Sequence, residues 1–75
     1  MSRLRPVKAH RMQRALERLG YRLVRTAGSH RIFLHPATGR RTTVAVHGAQ
    51  DIPRGTVRAI LEDVGLTWDE LERLL

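Results

Sequence analysis

Four histidines, His10, His30, His35 and His47, are the side chains of this 75-residue chain best suited to moving a proton near neutral pH. Other chemistry is poorly supplied. Cysteine is absent, which excludes a thiolate nucleophile, a disulfide and a cysteine zinc site. No glycine-rich phosphate loop opens a helical stretch, no carboxylate pair shares a strand, and no metal-ligand motif is present. Of the seven acids, five (Glu62, Asp63, Asp69, Glu70 and Glu72) fall in the last stretch of the chain. The inventory therefore predicts no metal and no cofactor, and chemistry confined to proton transfer and charge stabilisation.

The histidines are not equivalent. His10 sits on the basic side of a helical stretch and reads as a surface residue. His35 precedes Pro36 at a strand end, where a structural or solvent-facing role comes first. In TAGSHRIFLHP (26–36), Gly28 and Ser29 deliver His30 to the mouth of a strand. If the turn PATGR closes the next hairpin symmetrically about Thr38 or about the Thr38–Gly39 bond, His30 lies opposite Val46 or His47. The second register brings two imidazoles to one edge, whereas a one-residue slip turns them to opposite faces. Taken alone, a strand histidine is first a satisfied structural residue. A two-histidine metal site would need a third ligand, and spacing places none.

The elements that must position these residues follow from periodicity. Met12, Ala15, Leu16 and Leu19 make one apolar stripe on a helix over 7–19, with Pro6 in the first turn and Gly20 at the end. Lys8, Arg11, Arg14 and Arg18 form a basic ridge on its other side. Strands are predicted over 21–26, 30–35 and 41–47, the first two flanking an Ala27-Gly28-Ser29 turn. Val57, Ile60, Leu61 and Val64 stripe a second helix over 51–64, with Pro53 near its start and Gly65 past its end. Thr67 and Glu70 have capping-box spacing, and Leu66 and Leu71 that of a hydrophobic staple, which predicts a short helix over 68–75. The expected fold is α+β in the order α-β-β-β-α. A three-stranded antiparallel sheet carries both long helices on one face and leaves the other open.

Size and charge narrow the function. The chain suits one small domain, residues 1–75, burying about 60–65% of the surface that its unfolded form exposes. Neither a signal-peptide pattern nor a membrane-length apolar run is present, so a soluble, cytoplasmic protein without membrane contact is expected. The net charge is +7, and it is segregated. Residues 1–58 hold 13 of the 14 Lys and Arg against only Glu17 and Asp51. A basic body of this kind reads as a polyanion binder, and 13 arginines to one lysine suits phosphate recognition.

Three ordered blocks then carry a resemblance: GSHRIF-x-HP around His30, GRRTTVAVHG from Gly39, and DIPRGTVRAILEDVGL from Asp51. Together they resemble the HicA family of toxin–antitoxin mRNA interferases, over about residues 12–72. The resemblance implies the fold of double-stranded-RNA-binding domains and metal-independent cleavage of messenger RNA. It also implies a HicB-type antitoxin, with DNA contacted only through that partner. The histidine of Gly-Ser-His, here His30, is the implied catalytic residue. Many relatives have a second histidine where this chain has Arg31, and proline where it has Ala45.

On that basis His30 is the expected general base or acid and His47 the candidate second group. Arg31 and Arg41 are candidates for a phosphate clamp, and Ser29 for a hydrogen bond to a phosphate oxygen. Lys8, Arg11 and Arg40 are expected to track the RNA backbone. The rival is a non-catalytic RNA-binding module, since fold alone does not fix function. Such modules carry a lysine cluster at the start of the last long helix, where this chain offers only Arg54. A third possibility is a basic stabilising subunit of a larger assembly.

Overall fold

A short strand pairing, together with Pro53, sets where the long helices begin. In the computed structural model, which describes residues 3–75, the elements run β1 (Val7–Lys8), α1 (Ala9–Arg18), β2 (Arg22–Ala27), β3 (His30–Leu34), β4 (Arg41–Ala45), β5 (Asp51–Ile52), α2 (Arg54–Val64) and α3 (Trp68–Glu72). Met1 and Ser2, the start of the expected 1–75 domain, lie outside the described residues. Both long helices start later than their periodicity suggests. Val7 and Lys8 pair antiparallel with Ile52 and Asp51 instead. Pro53 disfavours helical backbone at Ile52 and itself caps α2. The small ladder buries Val7 against Ile52 and places Lys8 Nζ 3.6 Å from Asp51 Oδ1. Pro6 thus precedes a strand rather than opening a helix.

The stripes behave as their spacing requires. Met12, Ala15 and Leu16 of α1 and Val57, Ile60 and Leu61 of α2 are buried in one core. That core includes Phe33 of β3 and Val44 of β4. Gly65 ends α2 with φ +72°, a left-handed conformation that glycine adopts without a Cβ clash.

The sheet order is β2-β3-β4, antiparallel throughout, with β3 in the centre. Phe33 faces Leu23 and Thr42, and Arg31 faces Thr26 and Val44. Phe33, Thr42 and Val44 are buried, so this is the face that the helices cover. His30, Ile32 and Leu34 project from the other face. They are joined there by Arg22, Arg25 and Ala27 on β2 and by Arg41, Thr43 and Ala45 on β4. The architecture is the predicted α+β arrangement of double-stranded-RNA-binding domains, with the β1–β5 ladder added.

Two details of the sheet differ from the sequence expectation. His35 N donates to Arg40 O at 2.9 Å and Gly39 N to His35 O at 2.8 Å, so the loop is Pro36–Gly39. His30 therefore faces Ala45, not Val46 or His47, and β4 stops at Ala45. The second departure is a bulge in β2: the ladder steps from Leu23 to Arg25, leaving Val24 unpaired.

The C-terminal segment closes over the core through Trp68 and Leu71, both buried. Thr67 Oγ1 accepts from Glu70 N at 3.2 Å while Thr67 N donates to Glu70 Oε1 at 2.9 Å, the reciprocal capping box expected. The helix ends at Glu72, short of residue 75, and Leu74 N turns back to Leu71 O at 2.8 Å. Arg5 lies over the Trp68 ring at 5.4 Å and reaches Glu72 at 3.4 Å. The hydrogen bonds from Thr67 hold the Glu70 carboxyl below its ordinary value of 4.5. A lowered folded-state value means that this stabilisation is complete above the ordinary glutamate range and is lost as pH falls through the lowered value. Thr67→Ala is expected to lower the melting temperature by about 4–8 °C at neutral pH. The gap to the parent should narrow in acid, which thermal melts across pH 2–7 would show.

Candidate active site

His30 owes its position to a two-residue connection. Ala27 pairs with His30, leaving only Gly28 and Ser29 in the turn. Gly28 takes φ +59°, the left-handed backbone that a tight hairpin connection requires at its first position. Ser29 O accepts from Val46 N at 2.7 Å and ties the turn to the end of β4. The imidazole of His30 is exposed on the open face and makes no hydrogen bond or ion pair with the described residues. Its diagonal neighbours there are Arg25 on β2 and Thr43 on β4, each about 7–8 Å away by Cα. That separation lies within reach of a long arginine side chain.

The other expected site residues are dispersed. Arg31 points to the helix side, opposite His30, where its Nη1 donates to Gln13 Oε1 at 2.8 Å. Arg41 shares the face of His30 but pairs with Leu34, four positions along β3 or about 13 Å away. Arg40 donates from Nη1 to Asp63 O at 3.2 Å and so satisfies a terminal carbonyl of α2. Lys8 is engaged with Asp51, and Arg11 is exposed on α1. His47 is exposed in the turn beyond β4, where its carbonyl accepts from Gln50 N at 3.1 Å. The register does not set it opposite His30.

Arg25 and Arg22 are the cations that sequence reasoning missed. Had Ala27-Gly28-Ser29 been a three-residue turn, Arg25 would have faced the helices. With Ala27 inside β2, two-residue alternation back from the turn puts Arg25 beside His30. Arg22 needs more: only the Val24 bulge returns it to the same face, and no local motif announces that bulge.

Of the two roles expected for His35, structural or solvent-facing, it takes the structural one. Its Nε2 donates to Leu19 O at 3.0 Å, and the ring meets Tyr21 edge-on at 5.0 Å and 79°. Burial pushes the Tyr21 phenol above its ordinary value, with Arg40 acting to lower it and Asp63 to raise it. No group of three or more His, Asp or Glu that could hold a metal stands among the described residues. No helix there is long and apolar enough to cross a membrane.

A family model described as the HicA toxin of bacterial toxin-antitoxin systems matches residues 9–66. The chain belongs to the HicA toxin family. The matched span of this HicA chain contains α1, α2 and the whole three-stranded sheet, and with them His30, Arg25 and His47. Membership makes it the toxin side of a toxin–antitoxin pair and implies an antitoxin partner. A search of curated proteins gave no match.

The contrast between His30, which opens β3, and His35, just past its end, can be measured. His35→Ala in this HicA toxin should cost about 1–2 kcal/mol in urea denaturation, because it strands the Leu19 carbonyl. His30→Ala, on an exposed ring without partners, should stay within about 0.5 kcal/mol of the parent.

Proposed function

We propose that this HicA toxin is a metal-independent endoribonuclease acting on messenger RNA in the cytoplasm, with His30 as general base or acid. The observation that carries the reading is the exposed, unpartnered His30 imidazole beside Arg25 on an open sheet face. Cleavage by this route begins when a base removes the proton of a ribose 2′-hydroxyl and the oxygen attacks the adjacent phosphorus. An acid then protonates the departing 5′-oxygen, and cations offset the charge that builds on the phosphoryl oxygens. His30 supplies one proton transfer. Arg25 is the guanidinium best placed for the phosphoryl oxygens, ahead of Arg31 and Arg41. His47, just past the end of β4, is the candidate for the second proton transfer, and Ser29 for a hydrogen bond at the same end of the sheet.

Ile32 and Leu34 form an apolar strip along β3, with Arg22 and Arg41 at its far end. That surface suits a single strand whose bases lie on the strip and whose phosphates meet the arginines. The partner fits the same surface. A HicB-type antitoxin with acidic groups would cover it and close access to His30, leaving any DNA contact to the antitoxin itself.

His30→Ala should lower the rate of RNA cleavage by about 10²–10⁴-fold. The parent should keep cutting in EDTA. A variant that cuts RNA at the parental rate would overturn the assignment, and binding without cleavage by the parent would favour the non-catalytic module. Arg25→Gln, made in the His30→Ala background, should weaken binding of single-stranded RNA to a similar extent for all sequences. It should also reduce the slope of log affinity against log salt by about 0.7, the share of one phosphate contact. Fluorescence anisotropy between 50 and 300 mM salt reads both.

A further inference from the structure

Behind β3, on the side away from His30, a cleft of about 400 Å³ opens between the start of α1 and the turn that follows His47. Ala9, Val46 and Ala49 give it apolar walls, and Arg31, Gln50 and Lys8 line it with polar groups. His10 lines it as well. The volume falls in the range of small-molecule sites. A nucleobase has two apolar faces and a polar edge, and these walls and side chains match that division.

Arg31 is the best-defined group in the cleft. Its bond to Gln13 Oε1 at 2.8 Å holds the guanidinium in place and uses one of its nitrogens. The remaining N–H groups form a planar, donor-only fork. The base edge that answers such a fork is the O6 and N7 acceptor pair of guanine. Gln50 adds an amide that both donates and accepts.

The cleft also adjoins the chemistry. Arg31 follows His30 in sequence, Val46 precedes His47, and Val46 N is bonded to Ser29 O at 2.7 Å. A strand cut at His30 has only to pass round this end of the sheet to reach the cleft.

We propose that this cleft is a base-reading subsite that takes a guanine next to the scissile phosphate, with Arg31 as the specificity-determining residue. The proposal rests on the ribonuclease reading for its role, although binding to the cleft can be measured without it. Sequencing the RNA ends from a digest should show guanine enriched about 10- to 100-fold at one fixed position beside the cut. Arg31→Lys keeps the charge and removes the fork, and should bring that enrichment close to one. Ala49→Trp, at an exposed turn residue, should fill the cleft and do the same. The readout is the ratio among sites within one digest, which a uniform change in rate does not move. No enrichment in the parent, or the same enrichment in both variants, overturns the subsite.

A titration independent of cleavage separates the two ideas. In the His30→Ala protein, guanosine 5′-monophosphate should shift the amide resonances of Ala49 and Gln50 saturably. It should bind at least about tenfold more tightly than cytidine 5′-monophosphate, and Ala49→Trp should abolish the response. Equal binding of the two nucleotides, or shifts confined to other residues, overturns the subsite. Loss of His30-dependent cutting with this binding intact would instead overturn the nuclease and leave the subsite standing.

Discussion

The burial of Phe33 fixes everything else on the sheet. Side chains alternate along a strand, so committing Phe33 to the core commits Arg31 to the helix side and sends His30, Ile32 and Leu34 to the solvent. Adjacent residues of the HicA Gly-Ser-His-Arg sequence therefore end up on opposite sides of one sheet. A histidine moved by a single position would face the helices. The apolar content of both helix stripes thus acts on the site from a distance, because it holds the register that keeps the imidazole exposed.

Charge is distributed by the same division. Several carboxylates are occupied within the C-terminal half of the fold. Thr42 Oγ1 donates to Asp63 Oδ2 at 3.0 Å, Glu72 meets Arg5 at 3.4 Å, and Glu70 serves the cap of α3. Arg22, Arg25 and Arg41 on the open face pair with no carboxylate among the described residues. The positive potential of the chain is therefore left uncompensated beside His30, where it raises the local concentration of a polyanion.

Much of this architecture was legible in the sequence, and the reasons are local. The two helix stripes, the left-handed Gly65 and the Thr67–Glu70 box each depend on residues within a few positions of one another. The α-β-β-β-α order followed from those elements and from hairpin-length connections. What escaped were the pairings whose partners lie far apart or whose geometry depends on one residue. The Val7–Ile52 ladder joins segments far apart in the chain, and each half continues a helical pattern. The loop at Pro36–Gly39 shifts the register by one or two residues from the symmetric closures considered, which moved the partner of His30 to Ala45. His30 itself was found through its motif, while its neighbour Arg25 emerged only once the turn was known to hold two residues.

The unpaired Val24 has an effect beyond re-aiming Arg22. β2 is an outer strand of the three-stranded sheet, and Leu23 and Val24 on it are exposed. A straight margin of this kind invites strand addition by another chain, the first step toward fibrillar assembly. One extra residue kinks the margin, interrupts its row of outward amides and carbonyls, and sets guanidinium groups on either side of the kink. The kinked margin is thereby a poorer template for edge-to-edge pairing between copies of the chain, although Leu23 and Val24 on it stay open to solvent.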